Sequence, residues 1–170
     1  HVDTKDGYVW KIFETIGFVI DKEGKFNIKS IDVVMTENGK EVNRSRVDIS
    51  YEGQMKYAED LAKRNQVIPE HVGDVYNKDS TYFENHVAFI YPFNKNFELN
   101  ENSEYFLYAD IVDENNLTYR CFIDSAITKQ DGYLDEERMY EHDVISGNDA
   151  IMIFDENGKI LYEVDTNLYQ

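Results

Sequence analysis

Between Phe97 and Asp124 the residues alternate in a way that only an extended backbone can use. Tyr105, Leu107, Ala109 and Ile111 fall on one side of such a segment, and Phe106, Tyr108, Asp110 and Val112 on the other. A period of two carried by aromatic and β-branched residues marks a strand. Asp113-Glu114-Asn115-Asn116 then supplies turn residues that tolerate left-handed or Asx geometry. The return segment, Leu117 to Ile123, sets Tyr119, Cys121 and Ile123 against Thr118, Arg120 and Phe122. This is a hairpin with one apolar face, and that face needs a second layer to cover it.

The entrance to the hairpin is more specific. Leu99 stands six residues before Tyr105, which is followed by Leu107 and Ala109. The segment resembles the tyrosine corner of fibronectin type III and other immunoglobulin-like sandwiches. There the Leu and Tyr mark the crossing between sheets, and the Tyr hydroxyl bonds back to the backbone a few residues upstream. The resemblance covers under thirty residues. Glu101 stands where that family has Pro, and the Cys…Trp…Cys spacing of true immunoglobulin domains is missing. It implies an Ig-like fold with Leu99 and Tyr105 as its structural corner, and nothing about activity.

The remainder reads as further hairpins. Tyr8 to Ile20 alternates, Asp21 to Lys25 reads as a turn, and Phe26 to Met35 is a second strand whose inward face switches near Ser30. Asn38-Gly39 is the strongest short-range hairpin signal, leading into a polar edge strand over Val42 to Ile49. Tyr82 to Tyr91 is a strand ended by Pro92, and Ile151 to Val164 is a last hairpin around Asn157-Gly158. One amphipathic helix is predicted at about 50–65, capped by Ser50, with Tyr51, Met55, Ala58, Leu61 and Ala62 as its apolar stripe. A short helix is expected at about 134–142, where Asp135, Glu136 and Glu137 would favour its start. The expectation is a mainly β chain (all-β or α+β): an antiparallel β-sandwich of hairpins in a single domain over 1–170, residues 1–7 frayed. Gln66–Thr81 and Asp131–Ser146 would be its long loops.

Charge narrows the partners. The 17 basic residues are scattered among 34 acidic ones, giving a net charge of −17, whereas phosphate neutralisation needs clustered Lys and Arg. That argues against nucleic acid and against anionic membrane surfaces, and no apolar run is long enough for membrane insertion. A protein or a glycan is the expected partner. The single cysteine, Cys121, permits no internal disulfide and reads as a small core residue. The chain opens at His1 without an initiator methionine, as removal of an export signal or excision from a longer chain would leave it. Richness in Lys, Asn, Ile and Tyr suits an AT-rich Gram-positive-like bacterium. The expected location is extracellular or at the cell surface, with the cytoplasm as the alternative.

Phosphate-loop, nucleophile-elbow and zinc-protease motifs find no match in the sequence. Calcium is the metal its loops would suit best, at Asp155-x-Asn157-Gly158 and Asp113-x-Asn115, but neither completes the twelve-residue pattern and a hairpin turn accounts for both. The expectation is no cofactor. Phe106, Tyr108 and Phe122 share the face opposite the core side of the hairpin and could form a binding patch. The simpler alternative, preferred from the sequence, lays that face under the helix or a second layer. Three functions follow: a non-catalytic secreted or surface binding module, which is favoured; an acidic inhibitor or immunity-type protein for a basic partner; and an enzyme with no residues to nominate.

Overall fold

A single strand of 30 residues, β2 (Tyr8–Glu37), runs through both sheets of the protein. The computed structural model describes residues 2–3, 8–64, 82–129, 132–136, 142–143 and 150–164. In the first sheet, residues 8–27 of β2 pair with β4 (Tyr82–Leu99) on one side. On the other lie the short β1 (Val2–Asp3) and β8 (His142–Asp143), the latter parallel to β2. In the second sheet, the remainder of β2 lies between β3 (Lys40–Arg46) and β5 (Ser103–Asp113). The order continues through β6 (Thr118–Lys129) to β9 (Met152–Phe154) and β10 (Ile160–Glu163), all antiparallel. β7 (Gly132–Glu136) pairs with the far end of β6, over Ser125–Lys129. One helix, α1 (Tyr51–Lys63), completes the described elements. The fold is mainly β and sandwich-like.

The alternation read from the sequence is what builds the core. Trp10, Ile12, Ile16, Phe18 and Ile20 from the first sheet share one cluster with Val33, Met35, Leu107, Ala109 and Ile111 from the second. The change of phase near Ser30 is a β-bulge: the β2–β5 register slips between Ile28 and Ser30, so Ile28 and Ile31 both reach the interior. Cys121 is a buried core residue. The Asn38-Gly39 turn joins β2 to β3 with positive φ at both residues, 50° and 83°, the two-residue geometry that matches strand twist.

Three expectations are corrected. Asp21–Lys25 is no turn; the polar extra residues are absorbed as an irregularity between Asp21 and Lys25, and pairing with β4 resumes at Glu84. Pro92 does not end its strand, which continues to Leu99. Among the described strands β4 pairs only with β2, and the peptide groups of Ile90 face the other side, where they meet Gln54. Two residues on, Pro92 shares that orientation, so its missing N–H removes no ladder bond. The segment expected as a short helix at 134–142 is instead strand β7 as far as Glu136, and His142–Asp143 is β8. The edge of β6 beyond its short pairing with β9 offers backbone partners that outweigh the helix-favouring acids there.

At the corner, the chain passes from β4 in one sheet to β5 in the other between Leu99 and Ser103. Tyr105 is 3 % exposed, and its hydroxyl accepts from the backbone N–H of Asn100 at 2.7 Å while donating to the Glu37 carboxylate. That bond, seconded by the Asn100 side chain, holds the Glu37 carboxyl below its usual range. Since the folded-state value is depressed, this contribution is present above the ordinary value of 4.5 and disappears as the pH falls below it. Tyr105→Phe should lower stability by about 1–2 kcal/mol at neutral pH. It should also flatten the acid limb of a stability–pH curve measured by urea denaturation.

Helix α1 begins as predicted, with Ser50 Oγ accepting from Gly53 N at 3.0 Å. Of the predicted stripe Leu61 is buried, Tyr51, Met55 and Ala58 are partly buried and Ala62 is exposed; Gly53 and Gln54, outside that stripe, are buried as well. A Cβ on Gly53 would lie 2.2 Å from the Asp48 carboxyl carbon, so only glycine admits the Asp48 side chain that braces Ser50. The fully buried Gln54 accepts from Ile90 N–H at 2.7 Å and donates to Ile90 C=O and Asp48 C=O, each at 2.9 Å. One amide side chain thus stands in for a neighbouring strand on the side of β4 away from β2.

Candidate binding face

The outer face of the second sheet carries the residues singled out for a patch. Phe106, Tyr108 and Phe122 do meet, with ring centroids 6.0, 6.1 and 6.5 Å apart. Phe122 is buried, at 6 % exposure, and forms the floor; Phe106 and Tyr108 are half-buried. The helix does not cover them. Its described packing is onto β4 in the other sheet, through Gln54 and the Tyr57–Tyr91 ring contact, so of the two coverings expected for this face, α1 or a second layer, the helix is corrected.

Beside the rings runs a charged row that sequence reasoning missed. Register sets Arg46 opposite Asp32, Asp32 opposite Asp110, and Asp110 opposite Arg120 across β3, β2, β5 and β6. Two buried carboxylates placed directly opposite would repel. Arg44 relieves them by bridging, Nη1 to Asp32 at 2.8 Å and Nη2 to Asp110 at 3.2 Å. Arg120 grips Asp110 with two bonds of 2.8 Å, the forked geometry in which guanidinium–carboxylate pairs are strongest. Arg46 pairs with Asp32 through Nε, and Glu41 holds Arg44 from the rim at 2.5 Å.

The electrostatics follow from burial and pairing. Glu41, then Asp32, raise the Arg44 guanidinium above its ordinary value against the pull of partial burial. Burial is the largest influence on Arg120 and pulls it down, yet Asp110 more than offsets it. The phenol of Tyr108 is pushed up by burial, with Arg120 opposing. The Arg120 guanidinium lies between two rings, 5.0 Å from the Tyr108 centroid and 5.4 Å from that of Phe154. The row therefore presents fixed guanidinium planes beside aromatic ones. Arg46 is 66 % exposed at its side chain and Arg44 39 %.

The two loops weighed for calcium spend their carboxylates internally. Asp113 Oδ1 accepts from Asn115 N–H and Leu117 N–H at 2.8 and 3.0 Å, and Oδ2 accepts from the Tyr119 hydroxyl. Burial and then that carboxylate push the Tyr119 phenol up to about 12. Asp155 Oδ1 caps its turn in the same way, from Asn157 N–H and Lys159 N–H. Among the described residues no group of three His, Cys, Asp or Glu side chains converges as a metal site, and no helix is long and apolar enough to cross a membrane. The loops 66–81 and 131–146 fall largely or wholly outside the described residues.

The class that fold and face define is a mainly-β, sandwich-like protein bearing an aromatic–arginine surface on one sheet. No protein-family model, curated protein or solved structure matches the chain.

Proposed function

We propose that this is a non-catalytic binding module, extracellular or cell-surface, that takes a protein or glycan partner on the outer face of the second sheet. One observation carries it: partly buried Phe106 and Tyr108 rest on buried Phe122 beside guanidinium groups already held in place by buried carboxylates. Rigid ring faces lose little entropy on binding and stack on the apolar faces of sugars or of partner side chains. Pre-paired arginines add directional N–H donors without bringing excess charge. The tyrosine-corner geometry at Leu99 and Tyr105 supports an Ig-like kinship, a scaffold that hosts such modules.

The test is a glycan array together with pull-downs against surface extracts, using the wild type and the single variants Phe106→Ala and Tyr108→Ala. Truncating a central aromatic contact costs about 2 kcal/mol, so affinity should fall about 30-fold while the thermal melt stays cooperative. Binding unchanged in both variants removes the proposal.

A further inference from the structure

The register that assembles the charged row lays out the outer face of the second sheet as a grid. Glu41, Thr36 and Phe106 stand side by side across β3, β2 and β5. Arg44, Val34 and Tyr108 form the next line, and Arg46, Asp32 and Asp110 the third. The β2 column is buried throughout. The side chains that reach solvent stand in two columns about 10 Å apart, two strand spacings. Glu41, Arg44 and Arg46 form one, and Phe106 and Tyr108 the other.

Formal charge on this face cancels. Arg44, Arg46 and Arg120 are matched by Asp32, Asp110 and Glu41. Glu104 precedes Phe106 on the same side of β5 and adds one more carboxylate. An anion therefore gains no net attraction here, and the chain's charge of −17 repels it at longer range. A cation fares little better at contact, because Asp32 and Asp110 are buried and already bonded to arginine. What remains is hydrogen-bonding capacity without net charge, beside aromatic rings. Arg46 engages Asp32 through Nε and Nη2, so the N–H groups of its Nη1 are left to donate. Glu41 accepts from Arg44 at Oε1, which leaves Oε2 to accept from a ligand.

We infer that the ligand of this face is a neutral glycan, an oligosaccharide lying between the two columns. The inference rests on the reading of this face as a binding surface and narrows its partner. A sugar hydroxyl both donates and accepts, so one chain of sugar rings can satisfy Arg46 and Glu41 while its C–H faces meet Phe106 and Tyr108. Size points the same way. The five side chains of the two columns fall well short of the roughly 20–30 residues a side that a stable protein interface takes.

Isothermal titration of the full chain tests this with cellohexaose, mannohexaose and xylohexaose as neutral probes. Hexagalacturonate, hexaglucosamine and the basic protein cytochrome c serve as charged ones. At least one neutral probe should bind, with a Kd that changes less than about twofold between about 50 and about 500 mM NaCl, since screening acts on net charge. Arg46→Lys keeps the charge but loses the planar fork, and should weaken that binding about tenfold, as should Arg46→Gln. A circular-dichroism melt of each variant reports whether the fold is kept. No binding by any neutral probe, or Arg46→Lys binding at wild-type strength, overturns the neutral-glycan assignment. Binding that needs Phe106 and Tyr108 but goes to a charged probe overturns it too, and leaves the face standing as a binding surface. Binding of a neutral probe that survives both Phe106→Ala and Tyr108→Ala removes the face itself, and the assignment with it.

Discussion

Gln54→Leu should be among the most destabilising single changes in the protein, lowering the free energy of unfolding by about 3–5 kcal/mol in urea denaturation. The amide side chain is fully buried and makes three hydrogen bonds, two of them to the N–H and C=O of Ile90. Leucine fills a similar volume but can neither donate nor accept. Each buried peptide group left without a partner costs about 1–3 kcal/mol. Because Ile90 is itself fully buried, water cannot readily replace the lost partner. Gln54→Glu makes a useful comparison: it can still accept from Ile90 N–H, but sets a carboxylate against Ile90 C=O. A Gln54→Leu melt within about 0.5 kcal/mol of wild type would show that α1 is not docked through this residue.

Arg120→Met should cost nearly as much, about 3 kcal/mol, by a different route. Asp110 has only 2 % of its side chain exposed, and two of its three described arginine contacts come from Arg120. Removing one partner of a buried pair strands the other charge, at about 3–5 kcal/mol. The lower end applies because Arg44 still reaches Asp110 at 3.2 Å. The double variant Asp110→Asn/Arg120→Met removes the stranded charge and should recover part of the loss. A double-mutant cycle with coupling below about 0.5 kcal/mol would show that the two residues act independently.

The fold was legible where short-range patterns suffice. Alternation marked the core sides of β2 and β5, the out-of-phase Ile28 and Ile31 marked a switch of inward face that the register resolves as a bulge, and Asn38-Gly39 marked its hairpin. Local reading failed where distant backbone supplied the deciding partner. Asp21–Lys25 has turn composition but lies within a pairing to β4 more than fifty residues away. Residues 132–136 have the acids of a helix start but meet an open edge of β6.

At the candidate face the aromatic trio was readable because hairpin partners share a register. The charged row was not. Its signals were present, Asp32 inside Ile31–Met35 and the alternating Arg44 and Arg46 on an edge strand. Linking them requires knowing that β2 lies between β3 and β5. Gln54 was passed over for a related reason, since a polar residue on a helix is ordinarily assigned to water.

The length of β2 has a mechanical consequence. A sandwich whose layers are joined only by loops can shed one layer and keep the other; here the first layer's central strand and the second layer's neighbour to β3 and β5 are one uninterrupted length of backbone. Tension applied along it would load both layers together, so the protein should rupture under force in one event rather than layer by layer.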